Sequence, residues 1–144
     1  MNRFFSASPW WQGNGLALVR VVTGFFMIYH GWEIFSAEKM NGYLDWELFK
    51  NNSSGKLLVF AGKGAELVGG IFLFIGMFTR LAALILIVTM AVITFYVGTG
   101  KIWYEDQHPF LFVLLGLVFL FCGPGNWSVD KRLGKAYHES NEAD

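Results

Sequence analysis

Leu16-Ala17-Leu18-Val19-Arg20-Val21-Val22-Thr23-Gly24-Phe25-Phe26-Met27-Ile28-Tyr29-His30-Gly31-Trp32-Glu33-Ile34-Phe35 decides the fold of this chain. As a helix these residues cover roughly 30 Å, the hydrocarbon thickness of a bilayer. Most of the run is apolar, which predicts a transmembrane helix. Yet it carries Arg20, His30 and Glu33. An ionisable side chain at mid-bilayer costs at least about 2.5–3.5 kcal/mol on insertion scales, so such groups turn toward a bundle interior and find partners there. What these three residues meet is the functional question.

The composition around that stretch agrees with a membrane protein. Of 144 residues, 54% are hydrophobic and only 15% charged, and the mean hydropathy is +0.43, which separates the chain from soluble domains. A formal net charge of zero offers no basic surface to nucleic acid. The single cysteine, Cys122, excludes an intrachain disulfide and a CxxC redox pair. No group of histidine, cysteine and carboxylate residues has metal-ligand spacing, so no metal site is expected. The first apolar run is longer than a signal-peptide core and no small-residue cleavage pattern follows it, so it is expected to be retained.

Working outward, Trp10 and Trp11 read as interfacial anchors, and Pro9 with Gly13-Asn14-Gly15 as a break before a first span at about 15–35. A polar connection follows, in which Tyr43–Lys50 mixes aromatic and charged residues and predicts a short helix on the membrane surface. Asn51-Asn52-Ser53-Ser54-Gly55 is a turn. A second span is expected at about 56–78, holding Lys63 and Glu66 among small residues that admit a neighbouring helix. Thr79-Arg80 turns into a third span at about 81–97. It has no ionisable residue and is expected to be the most lipid-exposed. A fourth begins at about 108, with Pro109 suited to a first turn, and ends at 122 before Gly123-Pro124-Gly125. Ser128 is placed to cap a short polar tail helix, with Asp130 at its positive end. The fold class is therefore all-α, a polytopic four-transmembrane-helix bundle forming one domain with a polar C-terminal tail. Arg3, Arg80, Lys131, Arg132 and Lys135 on the terminal side slightly outweigh Lys39, Lys50, Lys56 and Lys101 on the other, which predicts N-in, C-in.

Helical arithmetic then brings the buried charges together. At 100° per residue Arg20, Gly24, Met27 and Gly31 share one stripe, with His30 about 80° and Glu33 about 140° round from Arg20. Arg20 lies roughly 8 Å from the near end of the first span and Glu66 roughly 15 Å from the far end of the second, at similar depth. This predicts a buried Arg20–Glu66 pair approached across Gly24 and Gly31. Lys63 stands one turn above, level with His30 and Glu33. Arg20, Glu33, Lys63 and Glu66 sum to zero charge, which a low-dielectric interior tolerates. The cluster reads either as a device that fixes helix register or as a polar pocket opening between the first two helices.

In chain order, Leu18-Val19-Arg20, His30-Gly31, Ala65-Glu66-Leu67-Val68-Gly69-Gly70, Gly76, Thr79-Arg80 and Gly123-Pro124-Gly125-Asn126-Trp127-Ser128-Val129-Asp130 resemble the DoxX family of small four-helix membrane proteins. The resemblance covers about residues 15–133. Family members commonly carry a lysine just after the His-Gly pair; here Glu33 and Ile34 stand there, and Lys63 supplies a cation from the second helix. The family name comes from subunits of a thiosulfate:quinone oxidoreductase, and other members are linked to membrane redox complexes and thiol stress. The resemblance thus implies a subunit tied to redox metabolism in a bacterial inner membrane, with a membrane or periplasmic redox protein, or a second copy, as partner.

Several chemistries are open to such a chain. Arg20, His30, Lys63 and Glu66 can supply hydrogen bonds and a proton path to a quinone or another lipid-like ligand. A non-catalytic scaffold subunit fits the lack of a cofactor motif. A small transporter component fits the buried charges, although no inverted repeat or broken helix is visible. Haem ligation by His30 and His108 is disfavoured, because His108 precedes Pro109 at a helix start and is expected to face water. Cys122 reads as a small hydrophobe.

Overall fold

The computed structural model describes residues 11–141, with side chains through residue 135. The expectations for Arg3, Pro9 and Trp10 fall outside the described residues. Seven α-helices follow one another: α1 (Gln12–Gly31), α2 (Ala37–Leu44), α3 (Glu47–Lys50), α4 (Gly55–Ile75), α5 (Thr79–Val92), α6 (Gln107–Cys122) and α7 (Val129–Asn141). A 3₁₀ turn, Trp32–Phe35, continues α1, and a π-helical segment, Ile93–Val97, continues α5. There is no strand among the described residues. Gln12–Phe35, Gly55–Ile75 and Thr79–Val97 are long and apolar enough to cross a bilayer. The fourth apolar helix, α6, has 16 residues and covers roughly 24 Å.

The helices pack in sequence order, α1 on α4, α4 on α5 and α5 on α6, with a lighter contact from α1 to α6. Glycine sets the closest approach. A Cβ on Gly24 would stand 2.5 Å from Phe74 N and 2.9 Å from Gly70 O, and one on Gly70 would stand 2.7 Å from Ile28 N. Only backbone against backbone fits there, the close approach that small residues permit in membranes. The core comprises Met27, Leu73, Ala82, Ala83, Leu86, Met90, Phe112, Val113 and Phe119. Ala82, Ala83, Leu86 and Met90 all lie on α5, so this helix is central rather than peripheral. Beyond Arg80 in its first turn it has no charged residue, which reflects apolar contacts with α4 and α6 as well as lipid. Phe25, Phe26, Leu57, Val88, Phe95 and Phe121 are exposed, an apolar exterior that water would not tolerate on a monomer.

Three helix ends differ from the simple reading. First, α1 begins at Gln12 and runs through Gly13-Asn14-Gly15. Asn126 holds that turn, its amide donating to Gly13 O at 2.9 Å and its Nδ2 to Asn14 Oδ1 at 2.9 Å. Second, α4 stops at Ile75. Gly76 adopts the left-handed conformation (φ 69°), its amide returns to Phe72 O and Leu73 O, and Met77 N donates to Phe72 O, the glycine stop common at helix C-termini. Third, the expected surface helix over 43–50 is two short helices, α2 and α3, broken at Asp45-Trp46.

Ser128 caps α7 by accepting from Lys131 N at 3.2 Å. Asp130 is directed elsewhere. Its carboxylate accepts from Phe78 N at 2.7 Å and Thr79 N at 2.8 Å, so it caps α5 across the turn from α4. Residues 76–79 and 123–130 therefore form one locked end of the bundle, called here the proximal end. Residues 32–55 and 98–106 form the distal end.

Candidate functional site

Arg20 is fully buried at the proximal end, and it does not meet Glu66. Its guanidinium fans out to four backbone carbonyls. Nε donates to Pro124 O at 2.8 Å, Nη1 to Phe74 O at 3.1 Å and to Leu73 O, and Nη2 to Trp127 O. The expected Arg20–Glu66 pair is thus replaced by an arginine that caps the C-terminus of α4 and ties it to the loop after α6. The physical reason is local. Because α4 stops at Ile75, Phe74 O has no intrahelical partner and Leu73 O receives only the amide of the capping Gly76, at 3.2 Å. The negative end of the helix dipole also favours a cation there. A planar guanidinium with five donors suits such a fan.

Glu66, Lys63 and Glu33 assemble separately, toward the distal end. Lys63 Nζ lies 3.0 Å from Glu66 Oε2 and 3.0 Å from Glu33 Oε2, and it reaches His30 O at 3.5 Å. Glu33 also accepts from Tyr43 Oη at 2.6 Å and, through Oε1, from Lys39 Nζ at 2.5 Å. The Lys63 ammonium sits 4.8 Å from the centre of the Tyr43 ring, within cation–π range. A continuous line of polar atoms therefore runs from buried Glu66 through Lys63 and Glu33 to Lys39, which is half exposed. Burial and the Glu33 carboxylate push the Tyr43 phenol above its ordinary value, and Glu33 raises Lys39. At neutral pH both remain donors to Glu33.

Helical angles alone put Glu33 well away from this group. The 3₁₀ turn at Trp32–Phe35 changes the rotation per residue from about 100° to about 120° and so brings Glu33 over Lys63. Lys39 and Tyr43, both on α2, were missed as members of the cluster. Tyr43 had been visible only as part of an aromatic and charged surface segment.

The cluster borders a cavity of about 630 Å³ between α1, α4, α5 and α6 in the distal half. Met27, Val59, Met90, Ile93 and Phe112 give it apolar walls, and Lys63, Glu66 and His30 bring polar groups to it. The size lies within the 300–1,000 Å³ range of small-molecule sites, and the mixture of apolar walls and few polar groups is also typical of them. The π-helical segment shapes the α5 wall, with Ile93, Tyr96 and Val97 facing in; such segments recur at functional sites. His30 and His108 both line the cavity, with ring centroids 6.1 Å apart. His108 is also solvent-exposed. A second hollow at the proximal end is bordered by Asp130, Asn126 and Lys131. Those groups are engaged with the backbone or one another, Lys131 Nζ with Asn126 Oδ1 at 2.5 Å. Among the described residues there is no group of three or more metal-ligating side chains.

Comparison with known proteins places this architecture. A family model described as DoxX matches residues 15–99, which includes Arg20, His30, Glu33, Lys63 and Glu66 but ends before the Gly123–Asp130 motif. A Haemophilus influenzae protein described as uncharacterized is 32% identical over 131 residues, covering 83% of this chain and 91% of the relative. No solved structure matches. The chain belongs to the DoxX family and is a multi-pass membrane protein.

Proposed function

We propose that this member of the DoxX family is an integral membrane subunit associated with redox metabolism, and that it binds a quinone or similar lipid-like ligand in its distal cavity. One observation carries the reading: buried Glu66 opens, beside Lys63 and His30, onto a cavity of about 630 Å³ whose walls are mostly apolar. A buried carboxylate is costly to keep, and its retention beside a ligand-sized space favours a binding role over a purely structural one. Arg20, by contrast, belongs to the architecture. The chain resides in a bacterial inner membrane, with α6 as a fourth span and both termini inside, as Arg80, Lys131 and Arg132 at the proximal end support. The distal cavity then opens toward the outer face, where a membrane or periplasmic redox protein, or a second copy of the chain, can dock.

The test is purification in a mild detergent, followed by an absorbance spectrum and mass spectrometry of the organic extract. The expected result is a quinone in stoichiometric amount that is lost in Glu66→Gln but retained in Arg80→Ala. No bound small molecule together with a reproducible partner protein would replace this reading with a scaffold role.

A further inference from the structure

We infer that the distal cavity is also open sideways to the bilayer, through a slot between α4 and α5, and that its ligand is an amphiphile whose single hydrocarbon chain lies in that slot; this builds on the cavity function proposed above. Gly69 and Gly62 show where the two helices part. At this spacing on α4 they share nearly the same face and stand about 10 Å apart along the axis. A Cβ on Gly69 would lie 3.0 Å from Ile85 Cγ2 and 3.9 Å from Ala82 O, so α4 and α5 touch there. A Cβ on Gly62 would meet nothing within 4 Å, although Gly62 lines the cavity. The helices therefore diverge toward the distal end.

The residues beside that gap line the cavity and are exposed at the same time. They are Leu58 and Ala61 on α4, and Val88, Val92 and Tyr96 on α5. A side chain does both only at a rim. Both helices are long and apolar enough to cross a bilayer, so this rim faces lipid. Along α5 it runs from the middle of the Thr79–Val97 span to its distal end, within the depth of one leaflet's hydrocarbon layer, about 15 Å.

The rim carries no charged residue. His30, Asp106 and His108 reach the cavity from α1, from the loop before α6 and from α6, while Lys63 and Glu66 are turned into the bundle. The polar groups thus stand on the inner walls and the hydrocarbon surface at the opening. A polar head joined to one alkyl or isoprenoid chain matches both. A second copy of the chain, whose helices are about 10 Å across, would cover the rim and leave the cavity behind it unfilled. On this reading the ligand enters from the leaflet rather than from water.

Photolabelling in phosphatidylcholine vesicles tests this with a decyl-substituted benzoquinone that carries a diazirine at the far end of its chain. Peptide mass spectrometry locates the label. The expected result is labelling at Leu58, Ala61, Val88, Val92 or Tyr96 that diazirine-free decylbenzoquinone competes away and decane does not. Ala61→Trp, which fills the slot from α4, should reduce the competed labelling about tenfold, as a tenfold weaker affinity would. Leu57→Trp, on the neighbouring lipid-exposed face and outside the cavity lining, should leave it unchanged. Competed label on Tyr43, Trp46 or Phe49 at the distal side, or on α1 or α6, overturns the slot and leaves the cavity reading intact. Equal competition by decane also overturns it, because the slot would then hold any hydrocarbon without a head in the cavity. Absence of competed label from the whole chain overturns both. The wild-type label positions decide the matter even where Ala61→Trp does not fold.

Discussion

Arg20 Nε donates to the Pro124 carbonyl at 2.8 Å, joining residues 104 positions apart in the chain. With its other donors on Leu73, Phe74 and Trp127, Arg20 closes the proximal end of the bundle. Replacing it leaves several buried carbonyls without partners, each worth about 1–3 kcal/mol. Arg20→Met should destabilise by roughly 3 kcal/mol or more. Arg20→Lys should recover little, because a lysine ammonium cannot span the same fan. Thermal unfolding in detergent reads both; an unchanged Tm in Arg20→Met would contradict the assignment.

Glu66 and Arg20 do not touch, and this separates two effects that a direct pair would merge. Glu66→Gln leaves Lys63 with Glu33 and His30 O, so its cost should be modest, about 1–2 kcal/mol. The double variant with Arg20→Lys should then be additive within about 0.5 kcal/mol. A coupling energy well above that, measured by a double-mutant cycle, would mean that the two side chains do interact.

Asp130 bonds the amides of Phe78 and Thr79 through its two carboxylate oxygens. It acts as a cap supplied from another helix. Asp130→Ala should cost about 1–2 kcal/mol, the usual loss on removing a cap. Asp130→Asn, which keeps one acceptor, should fall between. Hydrogen exchange localises the effect: the Phe78 and Thr79 amides should lose protection first, while the distal cluster keeps its own.

The bundle was legible in the sequence because bilayer thickness fixes helix length, and because Gly123-Pro124-Gly125 punctuates it; Gly76, which stops α4, fell inside the expected second span. The cluster of His30, Glu33, Lys63 and Glu66 was legible for a similar reason, since buried charges in a span must find one another. The pairing was not. Depth and angle placed Arg20 opposite Glu66, but side-chain arithmetic ignores backbone acceptors. Those acceptors at Leu73 and Phe74 exist only because α4 stops at Ile75 rather than near 78. Helical angles put Glu33 off the Arg20 stripe, able to turn toward Lys63 or the outer loop; the 3₁₀ turn at Trp32–Phe35 is what takes it to Lys63. The π-helical segment at Ile93–Val97, which shapes the cavity wall, had no visible signal in an apolar run.

At the distal end, Asp106 Oδ2 accepts from the Thr99 hydroxyl at 2.9 Å and from the amides of Thr99 and Lys101 at 2.8 and 3.2 Å. The Thr99 hydroxyl first, and these amides with it, hold the Asp106 carboxyl below its ordinary value. A depressed carboxylate pKa contributes stability that is full above the unfolded-state value and is lost as pH falls through the folded one. Amide protection at Thr99 and Lys101 should therefore be constant at neutral pH and fall on acidification below the ordinary carboxylate range. In Asp106→Asn, an acceptor that does not titrate, the acid-dependent step should disappear. Its persistence in that variant would assign it to another group.

Gly24 and Gly62 make opposite predictions from the same substitution. A methyl on Gly24 would strike the backbone of α4 at Phe74 and Gly70, where neither helix can yield by a side-chain rotation. Gly24→Ala should force α1 and α4 apart and destabilise by about 1–3 kcal/mol, the range for overpacking. Gly62, one position before Lys63, has nothing within 4 Å of its would-be Cβ and lines the cavity. Gly62→Ala should stabilise α4 by up to about 1 kcal/mol, through helix propensity alone. A larger residue there, as in Gly62→Leu, should keep the fold but fill ligand space. Loss of probe binding at unchanged or raised Tm would locate the ligand beside Lys63 and Glu66. Probe affinity unaffected by Gly62→Leu would place it elsewhere.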